Sequence, residues 1–497
     1  MKVKAALINE LNKGLYKLLI IMTLSFLGLM FYFSWRTEQQ YIEERLGFSN
    51  LGAFFLVLFL LIILGALLFS LSYYIRKLKS HTFLFLLICV SFSVRLVWIL
   101  TINTPPATDF RAMYDGAVGI FYRDWAPIQR EYFYSWPYQL GFTVYESFLL
   151  SLFGEGTFSI KFFNVLYGVG TVFFTYKTSS LLFNELAGRI AGIFYAFYIP
   201  AIVMTSVLTN QYIAIFFFYW AFYLLIKNGI NHKWNWIFIG ALLAIGDIMR
   251  PLGAFILLAV SCYVFLAFLK KGRIHKERVV KKFIGIFVVF YFVHYLISAS
   301  FIAWGITEYP LSNRNPLWKF VLGFNHETEG QYSVEDAEYV ARYSLGTERN
   351  EVEKELIKER LEDKSEVAVL LWKKFNNMWG IRDESIFWSM GHQKESAQVI
   401  HKVLYASERM MFLLLLFGGI AYLLFSFRTE MDKRKAFFLI LILGYVLVHL
   451  LVEVQTKYRF FINPALAIIA SLGFVTLFYH TKFLSGGRGR IRSNLKL

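Results

Sequence analysis

Pro105 and Pro106 end a long apolar run, and three residues further on stands Asp109, with Arg111 and Asp115 close behind. Proline inside a helix removes a hydrogen bond and clashes with the preceding turn, so the apolar helix stops there. Thr108 is then the expected N-cap of a new helix lying along the membrane surface. Asp109 falls at the start of that helix, where a carboxylate either complements the helix dipole or takes a proton from an attacking hydroxyl or amine. Arg250 stands beside Pro251, between two apolar runs. Its guanidinium suits a phosphate, although a snorkelling arginine paired with Asp247 at i,i+3 fits the spacing equally well. Arg95 lies about seven residues inside its run, some 10 Å deep at ~1.5 Å per residue. An arginine near the bilayer centre costs ~3 kcal/mol on insertion scales, so Arg95 must face a polar interior. Lys457, Tyr458 and Arg459 precede the last apolar run and either touch phosphate or sugar or mark the membrane boundary. Trp318, Asn325, His326 and Glu327 combine an aromatic face with hydrogen-bonding groups, which suits a lid over a sugar site or an ordinary surface loop. His326 with Glu327 and Glu329 is too sparse for a metal site.

These residues need elements that hold them at a membrane. Of 497 residues, 57% are hydrophobic and only 17% charged, too few to cover a soluble protein of this size. The runs 51–74, 83–102, 252–268 and 460–479 are nearly free of charge, and each is about the twenty residues that a ~30 Å hydrocarbon core demands of a helix. Backbone groups in lipid must satisfy one another, so unbroken, non-alternating runs mean helices, not barrel strands. About twelve spans are expected, near 17–35, 51–75, 82–102, 159–182, 189–207, 211–227, 234–249, 252–270, 281–303, 409–426, 436–452 and 460–480. Cys89 and Cys262 sit inside apolar runs and are expected to be buried small hydrophobes, not a disulfide.

The net charge of +17 is distributed, not pooled as nucleic-acid binding would want it. With the N-terminus in the cytoplasm, the basic segments 76–79, 270–282, 428–435 and 482–496 all fall inside, whereas the first outer turn carries Glu38, Glu43 and Glu44. This is the positive-inside pattern, with both termini cytoplasmic. The apolar stretch 138–153 is short and contains Glu146. Counting it as a span would turn the basic loops outward, so it is expected as a re-entrant or interfacial helix on the outer face. The chain thus divides into two N-terminal spans (1–80) and a membrane core (81–303) with a first outer loop at 103–158. A large outer region (304–408), C-terminal spans (409–480) and a basic tail (481–497) follow. Ser333 with Asp336 resembles a capping box in the large region, and 350–379 has Glu/Lys pairs at helical spacing. Neither an internal repeat nor a cleavable leader is discernible.

An aspartate in the first outer loop followed by a surface helix resembles the GT-C membrane glycosyltransferases. Within them the sequence is most similar to the bacterial protein O-mannosyltransferase and aminoarabinose-transferase branch. Further stretches agree in order: Arg95; Tyr134-Ser-Trp-Pro-Tyr138; Lys161-Phe-Phe-Asn164; Phe197-Tyr-Ile-Pro200; Arg250-Pro251; and Glu453-Val-Gln-Thr-Lys-Tyr458. The likeness covers roughly 82–480. It implies a polyprenyl-phosphate-linked sugar as donor, transferred with inversion to a lipid, wall-polymer or protein acceptor on the outer face. Asp109 matches the family's catalytic carboxylate. Arg95, Arg111, Arg250, Asn210, Lys457, Tyr458 and Arg459 then become candidates for holding the donor's phosphate and sugar. One departure stands out: where such proteins carry a second acid, this chain has Thr209-Asn210-Gln211. A divalent cation held between two carboxylates is correspondingly disfavoured, and no metal is assigned. Two other membrane activities compete, a polysaccharide polymerase or ligase and a transporter of lipid-linked saccharides. Paired repeats and broken midplane helices would favour transport. Neither sugar nor acceptor is legible.

Overall fold

The computed structural model describes residues 2–230, 232–268, 273–393, 398–427 and 433–484. The basic tail at 485–497 and parts of the basic loops, 269–272 and 428–432, lie outside the described residues. The regular elements are all helical. In chain order they are α1 (Lys2–Leu46), α2 (Asn50–Ile75), α3 (Ser80–Thr101), α4 (Thr108–Tyr122), α5 (Glu131–Ser135), α6 (Leu140–Phe153) and α7 (Phe158–Leu182). Next come α8 (Glu185–Phe197), α9 (Ile199–Val203), α10 (Gln211–Asn228), α11 (Asn235–Met249), α12 (Gly253–Phe268) and α13 (Arg273–Ala303). The 304–408 part holds α14 (Trp318–Gly323), α15 (Val334–Val340), α16 (Thr347–Arg360), α17 (Lys364–Phe375) and α18 (Ser385–Met390). The chain then returns through α19 (Gln398–Ser426), α20 (Lys433–Leu451) and α21 (Asn463–Leu484).

Seven of the helices are long and apolar enough to cross a membrane, and an eighth joins them if α8 and its bent continuation count as one span. Among the described residues each of the twelve expected segments contains a helix, but α10, α11, α12 and α21 fall short in length or hydropathy. A fifteen-residue helix such as α11 reaches only about 23 Å at ~1.5 Å per residue. The chain is a multi-pass membrane protein.

The bend between α8 and α9 is 61°, and its cause is chemical. Pro200 at the start of α9 has no N–H to give the Ala196 carbonyl. Arg95 takes that place, donating to Ala196 O at 2.9 Å and Tyr195 O at 3.1 Å, with Ser91 Oγ at 2.7 Å. The polar interior demanded of Arg95 is therefore a broken helix end. Close packing elsewhere needs small residues. A Cβ on Gly473 of α21 would lie 1.9 Å from the Gly418 carbonyl of α19, so those backbones touch.

Several local expectations change. Thr108 is not the N-cap; it is the first residue of α4 with φ +49°, and Ala107 takes the cap position without a side-chain hydrogen bond. Ala107 is the extended residue before the helix, with φ −141° and ψ 155°, so the hydroxyl of Thr108 sits one position too late to cap the first turn. Cys89 and Cys262 are exposed, not buried, since they sit on the bundle's apolar outer face. Ser333 does cap α15, accepting from Asp336 N at 3.0 Å.

Six charged groups stitch α1 to the far end of the chain. Arg382 meets Glu38 at 2.9 Å, Arg409 meets Glu408 at 3.2 Å, and Arg459 meets Asp383 at 3.3 Å. Arg409 also donates to Ser34 Oγ at 3.0 Å and Gly380 O at 3.1 Å. Three cations thus face three carboxylates, which keeps the cluster neutral where little water reaches it.

Candidate functional site

Four parts of the chain meet around Asp109. The first is α4, whose opening turn carries Asp109 exposed at its surface. Among the described residues no side chain forms an ion pair or hydrogen bond with this carboxylate, yet its charge acts on Tyr132, Tyr138, Tyr332 and Lys457. Arg111 points away and is 69% exposed, 3.7 Å from Asp115.

The second part is the turn before α21. Lys457 lies with its ammonium 4.1 Å from the Trp388 ring centre and 5.8 Å from that of Phe110. No carboxylate forms an ion pair with it among the described residues. Burial depresses its pKa to about 8, although the Asp109 charge pulls the other way. Tyr458 donates to Glu453 at 3.0 Å, and Gln455 holds the other Glu453 oxygen at 2.6 Å. Arg459 turns inward and is fully buried in the charge cluster described above.

The third part is the α11–α12 junction. Arg250 ends α11 in an extended conformation, since the residue before proline avoids the helical region. Its guanidinium donates to Asn210 Oδ1 at 3.1 Å and lies 5.5 Å from the Tyr458 ring centre. The expected alternative of an Asp247 pair does not form. Asp247 accepts from Gly253 N at 2.6 Å and faces His294 at 3.7 Å, because the proline turn swings Arg250 off the helix face. Asn210 also donates to Met249 O at 2.9 Å. Where a second acid would stand, an amide oxygen is already taken by an arginine. Among the described residues no group of three or more His, Cys, Asp or Glu is placed to hold a metal.

The fourth part comes from the 304–408 region. Lys319 forms an ion pair with Glu453 and reaches the Tyr458 hydroxyl at 3.4 Å. Partial desolvation opposes the Lys319 charge, but Tyr458 and Glu453 outweigh it and raise its pKa. Glu453 correspondingly ends below the usual range, because Lys319 overcomes its burial. Main-chain bonds fasten this contact: Glu453 N to Lys319 O at 2.8 Å and Val454 N to Gly330 O at 2.9 Å. Three of the expected lid residues pack or bond within the 304–408 part, and the fourth is exposed. Trp318 is buried beside Val321, Leu322 and Val340. Asn325 donates to Asp336 at 2.8 Å, His326 meets Arg360 O at 2.8 Å, and Glu327 is exposed.

The structure therefore brings Asp109, Lys457, Tyr458, Arg250 and Asn210 to one place, and it leaves Arg95, Arg111 and Arg459 outside it. Sequence reasoning missed Tyr138, Lys319 and Glu453 as members. Tyr138 is half-buried, and burial raises its pKa. The charges of Lys319, Asp109, Arg250 and Glu453 all act on it, which puts its hydroxyl centrally among them. Chemically the cluster offers, among the described residues, a carboxylate and two cations that form no ion pair, together with several tyrosines.

No curated protein matches the chain. Residues 143–297, from α6 to α13, match the model of the dolichyl-phosphate-mannose-protein mannosyltransferase family. The matched stretch contains Asn210 and Arg250 and stops short of Asp109 and Lys457 at either side. By that match the chain is similar to the dolichyl-phosphate-mannose-protein mannosyltransferases, and it supports a membrane glycosyltransferase of the GT-C type.

Proposed function

We propose that the chain transfers a sugar from a polyprenyl-phosphate donor to an acceptor on the outer face of the membrane, with inversion. The observation that carries this reading is Lys457. A desolvated ammonium without a carboxylate partner, next to Arg250 and within the field of the unpartnered Asp109, is a place for an anion beside a base. Asp109 takes the proton from the acceptor hydroxyl or amine as that atom bonds to the anomeric carbon. The bond from that carbon to the phosphate oxygen breaks, and its electron pair leaves with the lipid phosphate. Lys457 and Arg250 offset the charge that grows there. Tyr138 and Tyr458 line the path between base and leaving group, and Asn210 orients Arg250.

In this reading the short helices complete about twelve spans, both termini are cytoplasmic, and the first loop and the 304–408 region stand outside. A lipid-linked donor is met at the bilayer surface, where α4 would lie. The acceptor is a lipid, a wall polymer or a protein. The test uses purified protein in lipid with a radiolabelled polyprenyl-phosphate sugar. Transfer to an envelope acceptor is expected, and Asp109→Asn should reduce it by roughly 10²–10⁴-fold, the span of general-base catalysis. Label crossing vesicles with its lipid bond intact would overturn the proposal in favour of transport.

A further inference from the structure

Glu384 is the least explained carboxylate near the site. It precedes α18, and Trp388 N donates to its carbonyl at 2.9 Å, so Glu384 and Trp388 stand one helical turn apart on the same face. The neighbouring Asp383 turns inward instead, meeting Arg459 at 3.3 Å and accepting from Ser385 N at 2.9 Å. Glu384 is held in register with the opposite segment by its own N–H, which donates to Thr456 Oγ1 at 2.9 Å. That bond lands one residue before Lys457, whose ammonium covers the Trp388 ring at 4.1 Å and whose charge acts on Glu384. Phe110, next to Asp109, meets Trp388 edge-on at 5.5 Å. No ion pair neutralises Glu384 among the described residues. A carboxylate and an indole thus flank the Lys457 ammonium, with the turn that carries Asp109 packed against the same indole.

We infer that Glu384 and Trp388 form the sugar subsite, taking the hexosyl ring of a lipid-phosphate-linked sugar whose phosphate rests on Lys457. The inference depends on the donor proposed above. In such a donor the anomeric carbon is one oxygen atom away from phosphorus, so a phosphate on Lys457 puts the ring among the groups surrounding that ammonium. The carboxylate accepts from neighbouring hydroxyls, a charge-assisted contact, and the indole packs the ring's C–H face. The 304–408 region then supplies the site with a carboxylate that no ion pair engages among the described residues, from a part of the chain far from Asn210.

The test measures binding by the full chain in nanodiscs. The probes are bare polyprenyl phosphate and polyprenyl phosphates carrying mannose, glucose or galactose. The wild type should prefer at least one sugar-bearing lipid to the bare one. Glu384→Ala and Trp388→Ala should each weaken that lipid by about tenfold or more, the loss expected of a charged hydrogen bond, and move the bare lipid less than about twofold. A variant that fails to fold is replaced by Glu384→Gln or Trp388→Phe, with loss expected in the same direction. Equal weakening of sugar-bearing and bare lipids in a folded variant, or no weakening of either, overturns the subsite. So does a wild type with no sugar preference. Wild-type transfer of label is read in parallel. Transfer with unaffected variants sinks the subsite alone, whereas sugar-selective binding without transfer to any acceptor sinks the transferase reading.

Discussion

Lys457 shows what a single side chain can report. With its pKa depressed to about 8, it is charged below that pH and loses its proton as pH rises through it. Attraction for a phosphate is then present below pH 8 and fades above it. The donor KM should therefore climb on the alkaline side, and Lys457→Met should raise KM at neutral pH and remove that alkaline limb; an unchanged profile would assign the limb elsewhere. Asp109 was legible as a candidate from two prolines and a helix start. Thr108 was misjudged, because the strained backbone that follows Pro105-Pro106 has no signature in residue type. Arg95 was rightly expected to need polar company. That its company is the Ala196 carbonyl left open by Pro200 became visible only once α3 and α8 were side by side.

Among the elements, the segment after α20 depends on the 304–408 region. Lys374 of α17 is buried and donates to Gly323 O at 2.6 Å and Leu450 O at 2.8 Å. Burial pushes its pKa down to about 7, while an unfolded lysine keeps its proton to ~10.4. Between those values the unfolded chain binds more protons, so stability should rise with pH from about 7 upward. Lys374→Met should flatten that slope and lower the melting temperature, since it removes two hydrogen bonds to carbonyls, each worth about 0.5–1.5 kcal/mol. A thermal shift series in detergent across pH reads both effects. Apolar runs made the helices of the bundle legible, since lipid imposes length and composition together. The contacts of Lys319, Lys374 and Glu384 were not, because they join segments far apart in sequence through short turns without periodicity.

For the molecule as a whole, sidedness decides whether the chemistry can occur. Reporter fusions after residue 79 should be active on the cytoplasmic side, and fusions near Thr108 and Gly305 on the opposite side. A cytoplasmic reporter signal at Thr108 would strand Asp109 on the wrong face. The charge distribution predicts this orientation without a structure. It left open why α1 is present. The neutral cluster of Glu38, Arg382, Asp383, Glu408, Arg409 and Arg459 supplies a reason, for it fixes the segments leading to Lys457 and Glu384 against the first helix.

That cluster also sets a schedule. Glu38, one of its three acidic members, is among the first residues made, whereas Arg459 leaves the ribosome near the end of synthesis. At ~5–20 residues per second the gap between them lasts roughly tens of seconds. During that interval Glu38 and the finished α4 wait in the membrane with their counterparts still unmade. If the proposed site is the working one, a nascent chain stays inert until its closing helices arrive, and one that stops before α21 should be inserted but idle.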